Sequence, residues 1–236
     1  MRSWFAMVVV SCVLASCATG RQPQRPLPPP DDKTYAQEGP DPQKVQQLRG
    51  ELIRSLLEKG QYYAALAHIE DAKQTAQTPE LTFLEAETRR HLGQRTQAEV
   101  LYKKLLGTPA EGQAYHGLGL LLAATDVDGA IRNLRSASER LPTDVEIRND
   151  LGYALMEAGR YTEALPELST AAELAPTQLK SRNNLIILML LTGNQAGLAQ
   201  MTQQAGTTPE TLKQLRDQAQ GIRGQQAVRA GKIPPA

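Results

Sequence analysis

The side chains that could do covalent or metal chemistry are two thiols and three imidazoles. Cys12 and Cys17 lie five residues apart near the start of the chain, and no cysteine follows them. A disulfide framework or a cysteine zinc site therefore lacks its second half. His68, His91 and His116 are 23 and 25 residues apart, whereas a metal site needs two ligands at helical spacing with carboxylate support. His68 is expected to be packed or solvated. No phosphate-cradling glycine loop, His-Glu-x-x-His string or Gly-x-Ser-x-Gly elbow occurs. The many Asp and Glu residues fit solvated helix faces. The chain is expected not to be an enzyme, and to bind no cofactor, metal or small-molecule substrate. The thiol that remains to be explained is Cys17.

Charge and aromatic content narrow the partners. Among 236 residues, Lys plus Arg number 26 and Asp plus Glu 25, giving a net charge of +1. That balance excludes a strongly basic nucleic-acid binder and an acidic tail. At 4% aromatic residues, a base-stacking platform is disfavoured too.

The surroundings of Cys17 suggest an address. Arg2 is followed by an uncharged run from Trp4 to Leu14. The run is shorter than the roughly 17–25 apolar residues of a membrane-spanning helix and fits a signal-peptide core. Leu14-Ala15-Ser16-Cys17 then resembles the bacterial lipobox. That resemblance implies diacylglycerol on the Cys17 sulfur, cleavage after Ser16, and an acyl group on the new amino terminus. The competing reading is ordinary secretion with cleavage after Ala18. Cys12 ends a similar string but would leave too short an apolar core. One acyl chain binds a bilayer marginally and several anchor stably. Ala18, rather than Asp, after the cysteine resembles an outer-membrane lipoprotein, facing the periplasm.

Residues 17–42 then read as a spacer. Seven of the 15 prolines fall between Ala18 and Pro42. Each fixes φ and removes a donor, so an extended tether is expected, with a limit of roughly 75 Å at about 3.1 Å per residue. The alternative is a proline-rich ligand for a partner groove.

An internal repeat fills the rest. Gly60, Gly93, Gly159 and Gly193 are separated by 33, 66 and 34 residues. Ala65, Ala98, Ala130 and Ala164 are separated by 33, 32 and 34, and Pro109, Pro142, Pro176 and Pro209 by 33, 34 and 33. Between these marks apolar residues recur at helical spacing, which predicts two helices per unit, a turn at the glycine and a stop at the proline. The unit Val145 to Gln178 resembles the tetratricopeptide repeat: Leu151-Gly152, Gly159, Ala164, Leu168, Ala171 and Pro176 fall at the family's positions. Small residues there let two helices cross closely while leucines fill the space beside them. The third unit has a turn one residue short and without its glycine, at Thr125 to Gly129. Pro166 is placed in the first turn of a second helix, where it costs at most one backbone bond. The expectation is an all-α tetratricopeptide-repeat superhelix (solenoid) of about five repeats, closed by a capping helix. The organisation is a lipoprotein signal peptide at 1–16, the lipidated cysteine and tether at 17–42, the repeat domain at 43–220 and a flexible tail at 221–236.

In this family the first helices line a concave groove. The resemblance places His116, Asn149 and Asn183 at the fifth position of successive first helices, and Leu120, Tyr153 and Ile187 at the ninth. The asparagines suit the backbone of a bound segment, since each offers a donor and an acceptor. The alternative is that they bond only between repeats. Lys180 and Arg182 add positive charge at one end. The segments IRNDLGYALMEAGRYTEALPELSTAAELAP and KSRNNLIILMLLTGN, behind a lipobox, resemble the TadD family of repeat lipoproteins from tight-adherence (Flp) pilus machinery. The resemblance implies an outer-membrane adaptor, a pilotin whose groove binds the pilus secretin subunit and aids its localisation. The alternative is a general periplasmic scaffold recruiting cell-wall or proteolytic enzymes.

Overall fold

A computed structural model describes residues 41–232. The expected signal segment, Cys17, the tether up to residue 40 and the end of the tail at 233–236 lie outside the described residues. The described part is all helix: α1 Pro42–Glu58, α2 Tyr62–Lys73, α3 Pro79–His91, α4 Arg95–Lys104, α5 Glu111–Leu122, α6 Val127–Arg140, α7 Val145–Glu157, α8 Tyr161–Leu174, α9 Leu179–Thr192, α10 Gln195–Ala205 and α11 Pro209–Arg229. No helix among them is long and apolar enough to cross a membrane.

Local chemistry sets the helix ends. Gly60, Gly93, Gly159 and Gly193 all have φ between +70° and +74°, a conformation that a Cβ disfavours. Each ends a first helix, and the next amide reaches back five residues: Gln61 to the Leu56 carbonyl, Gln94 to Arg89, Arg160 to Leu155 and Asn194 to Met189, at 2.8–3.0 Å. The third repeat solves the turn differently. The Asp126 carboxylate accepts the Gly129 amide at 2.8 Å, and a Cβ on Gly129 would meet that carboxylate. Its missing glycine and missing residue are thus replaced by an N-cap.

The repeat boundaries use Thr or Asp caps, as at Thr78 to Leu81 (3.1 Å), Asp144 to Ile147 (3.1 Å) and Thr208 to Thr211 (3.2 Å). Pro79 and Pro209 stand at the first helical position, so they open the next helix rather than stop the previous one. Pro166 is the sixth residue of α8, past the first turn where the sequence placed it, and stands on an exposed side of the helix.

Packing follows the repeat. Ala65, Ala98, Ala130 and Ala164 are fully buried. A Cβ on Gly152 would lie 2.6 Å from the Leu168 side chain, and one on Gly119 2.7 Å from Leu134. The apolar interior forms three clusters: Ile53 to Leu84 in α1–α3, Ala86 to Leu121 in α3–α5, and Ile131 to Ile222 in α6–α11. Among the odd-numbered helices, α1 packs on α3, α3 on α5 and α7 on α9, whereas no even-numbered pair packs to the same extent. The closer row is the inner side of the curve.

The domain ends differ from the sequence reading. α1 starts at Pro42, and α11 continues nine residues past the expected limit at residue 220. Gly221 and Gly224 do not end α11, because Arg223, Gln226 and Arg229 bond to backbone carbonyls of α7 and α9. Residues 221–229 are therefore helix rather than flexible tail.

Gly152→Ala should lower the urea midpoint, with a loss of about 1–2 kcal/mol, because overpacking against Leu168 outweighs alanine's better helix propensity of about 1 kcal/mol. An unchanged midpoint would show that the two helices do not cross this closely.

Candidate functional site

The inner row carries a polar ladder. His116 Nε2 and Asp150 Oδ2 are 2.8 Å apart, and since an ionised carboxylate only accepts, the ring donates. Lys180 Nζ donates to Asp150 Oδ1 at 3.0 Å and to Glu146 Oε2 at 2.7 Å. Gln178 Nε2 donates to the other Glu146 oxygen at 2.5 Å. One layer deeper, Asn184 Nδ2 donates to Asn149 Oδ1 at 2.9 Å. Two of these inter-repeat bonds link a fifth position to the sixth position of the next first helix, His116 to Asp150 and Asn149 to Asn184.

The ladder sets the charge state of Asp150. Burial alone would raise its pKa, but the His116 hydrogen bond and the Lys180 charge outweigh burial and hold the carboxyl below the usual range. Lys180 is held above its ordinary value by the two carboxylates it bridges, against the opposing effect of burial. The side of the row between α5 and α7 opens into a cleft of about 410 Å³. Leu120, Ala123, Ala124, Leu134 and Ala154 supply apolar walls, while Tyr153, Asp150 and Glu157 supply polar edges. Gln225 and Arg229 of α11 close it on one side. Burial raises the Glu157 pKa, partly countered by the Arg229 charge.

The residues singled out from the sequence separate into two groups. His116, Leu120 and Tyr153 come together around the cleft and its ladder. Asn149 is fully buried and spent on Asn184, so it leaves the groove surface and takes the inter-repeat role. Ile187, 1% exposed, shares a core cluster with Leu215, Ala219 and Ile222 of α11, so it too leaves the open surface. Asn183 is partly buried, beside Asn184. Lys180 is engaged with two carboxylates rather than free for a ligand. The sequence reading missed Asp150, Glu157, Gln225 and Arg229. Asp150 carried a signal, since it stands 34 residues after His116. Gln225 and Arg229 carried none, because the helix was expected to end before them. Among the described residues no group of three or more His, Cys, Asp or Glu side chains is placed to hold a metal ion.

Asp150→Asn should cost about 1–2 kcal/mol of stability at pH 7 through its charged hydrogen bonds. A carboxyl whose folded pKa is lowered contributes stability above its unfolded pKa of about 3.9 and loses it as pH falls through the folded value. The gap between parent and variant in denaturation midpoint should therefore be full at neutral pH and shrink below about pH 4. A gap that persists undiminished at pH 2 would rule out this electrostatic role.

Comparison with known proteins agrees with the geometry. Residues 121–194 match the tetratricopeptide repeat family model. A TPR repeat-containing protein of Pseudomonas aeruginosa is 34% identical over 155 residues, which is 64% of this chain. The chain spans 60% of the length of that curated relative. A thermophilic TPR protein of Thermus thermophilus superposes with a TM-score of 0.58 at 24% identity, covering 75% of this chain and 98% of its own. MamA from Desulfovibrio magneticus superposes at 0.54 with 18% identity, covering 72% and 96%. At these identities the two structures speak to the fold alone. With α1–α10 paired at a period near 34 residues, the described helices form a tetratricopeptide-repeat superhelix, and residues 121–194 carry the match to that family's model.

Proposed function

We propose that the chain is a protein-binding adaptor of the bacterial envelope, lipid-anchored at Cys17 to the outer membrane and facing the periplasm. Within that role it acts as a pilotin of a tight-adherence (Flp) type pilus apparatus, engaging the secretin subunit and aiding its arrival in the outer membrane. The observation that carries the binding role is the cleft between α5 and α7. It has an apolar floor around Leu120 and Ala154 and a polar rim of Tyr153, Asp150 and Glu157. Such a cleft suits an apolar side chain carried on a polypeptide, with the rim oxygens accepting from its flanking donors. The anchor reading rests on Leu14-Ala15-Ser16-Cys17, and the pilus reading on the resemblance of the Arg-Asn-Asp-Leu and Arg-Asn-Asn-Leu helix openings.

The mechanism is tethering. Several acyl chains on one cysteine hold the adaptor on a bilayer. A bound secretin subunit then meets that membrane at the effective concentration set by the linker rather than by diffusion. Replacing Cys17 with Ser should leave binding intact in a pull-down and mislocalise the secretin in membrane fractions. A correctly placed secretin in that variant would sink the pilotin reading. In-cell cross-linking that returns cell-wall hydrolases and no pilus component would move the assignment to the general scaffold.

A further inference from the structure

α11 does more than cover the end of the repeat stack. As far as Ile222 it is held by an apolar stripe, Leu215, Ala219 and Ile222, at a spacing of four and three residues. These residues join the cluster that contains Ile187, a position on the inner row. Beyond Ile222 no residue of the helix is buried. There the hold becomes polar and directed at backbone. Arg223 donates to the carbonyls of Leu190 (2.9 Å) and Leu191 (3.2 Å), in the last turn of α9. Gln226 donates to the Met156 carbonyl at 2.7 Å and accepts from the Tyr161 hydroxyl at 2.8 Å. Arg229 donates to the Glu157 carbonyl at 3.0 Å. The spacing of i, i+3 and i+6 puts three donors on one face, each capping carbonyls at the C-terminal end of a first helix. Those ends leave carbonyls without intrahelical partners and favour positive charge.

A second observation is independent of these bonds. Gly221 and Gly224 sit inside the helix with helical φ, and a Cβ on either would meet nothing within 4 Å. No turn, close approach or packing contact requires them. Glycine in a helix interior weakens it relative to alanine, by roughly a factor of five at each site. The stretch after Ile222, which touches the cleft through Gln225 and Arg229, therefore follows one interior glycine, contains another and has no buried apolar side chain.

We propose that Arg223–Arg229 is an in-cis occupant of the inner face, and that the ligand taken in trans is an amphipathic helix that replaces it. That helix presents Arg or Gln at i, i+3 and i+6 to the carbonyl ends of α7 and α9. It places an apolar side chain in the cleft lined by Leu120 and Tyr153. The inference rests on the adaptor reading and specifies what its groove recognises.

The test uses the full-length chain and two variants. In Gly221→Ala/Gly224→Ala the helix is strengthened, and in Arg223→Ala/Gln226→Ala/Arg229→Ala the carbonyl contacts are removed. Hydrogen exchange followed by mass spectrometry should show amides 223–229 exchanging far faster than those of α9 in the parent. The double alanine variant should slow them about twentyfold. The trans probe is a labelled synthetic peptide of residues 216–232 carrying both glycine-to-alanine changes, read by fluorescence anisotropy. It should bind the triple variant at least fivefold tighter than the parent, and the double alanine variant more weakly than the parent. Segment amides as slow as those of α9, or equal probe affinity for all three chains, would overturn the proposal. A natural partner that binds the parent and the double alanine variant equally would overturn displacement while leaving the adaptor reading standing. The exchange readout needs no partner, so it survives if the adaptor reading fails.

Discussion

The close crossing of the two helices in each repeat is the constraint on which the rest depends. Fully buried Ala65, Ala98, Ala130 and Ala164 bring second helices against first helices, and Gly119 and Gly152 leave room for Leu134 and Leu168. A larger side chain at any of these places would push the pair apart and rotate the next repeat with it. The inner row exists because this spacing is the same from pair to pair. The cleft lies on the α5–α7 side of the row, where the two first helices meet through the His116–Asp150 bond rather than by close packing.

Polar contacts then fix how one repeat sits on the next. Apolar packing is tolerant of small slides, but a hydrogen bond between Asn149 and Asn184 in a dry interior has one good geometry, and leaving either amide unpaired is costly. The same diagonal step appears as His116 to Asp150, partly buried and charge-assisted. Lys180 joins that carboxylate to Glu146, so one positive charge sits between two negative ones on the inner face. The groove thereby offers an incoming segment a patterned surface rather than a field of one sign.

Much of this was legible in the sequence, and the failures have physical causes. The glycine marks mapped onto left-handed turn positions, because only glycine takes that φ cheaply. The third repeat announced its oddity through Asp126, whose cap replaced the glycine. Spacing places residues on a face but says nothing of depth, so Asn149 and Ile187 were read as surface when neighbouring helices cover them. The C-terminal helix was cut short for a different reason. Gly221 and Gly224 weaken it locally, and the contacts that carry it to Arg229 join residues 32 to 72 apart in sequence. No local pattern reports partners that distant.

The division of the apolar interior has a mechanical consequence. Three clusters, rather than one shared core, mean that the helices of the first cluster can be stripped away without opening the last. Force applied along the chain from α1 would therefore be met in instalments, each helix pair yielding in turn, so that extension rises stepwise and the molecule behaves as a short elastic element in series. The last cluster, which spans α6 to α11 and includes the strip that α11 lays across the inner row, would be the final link to give way.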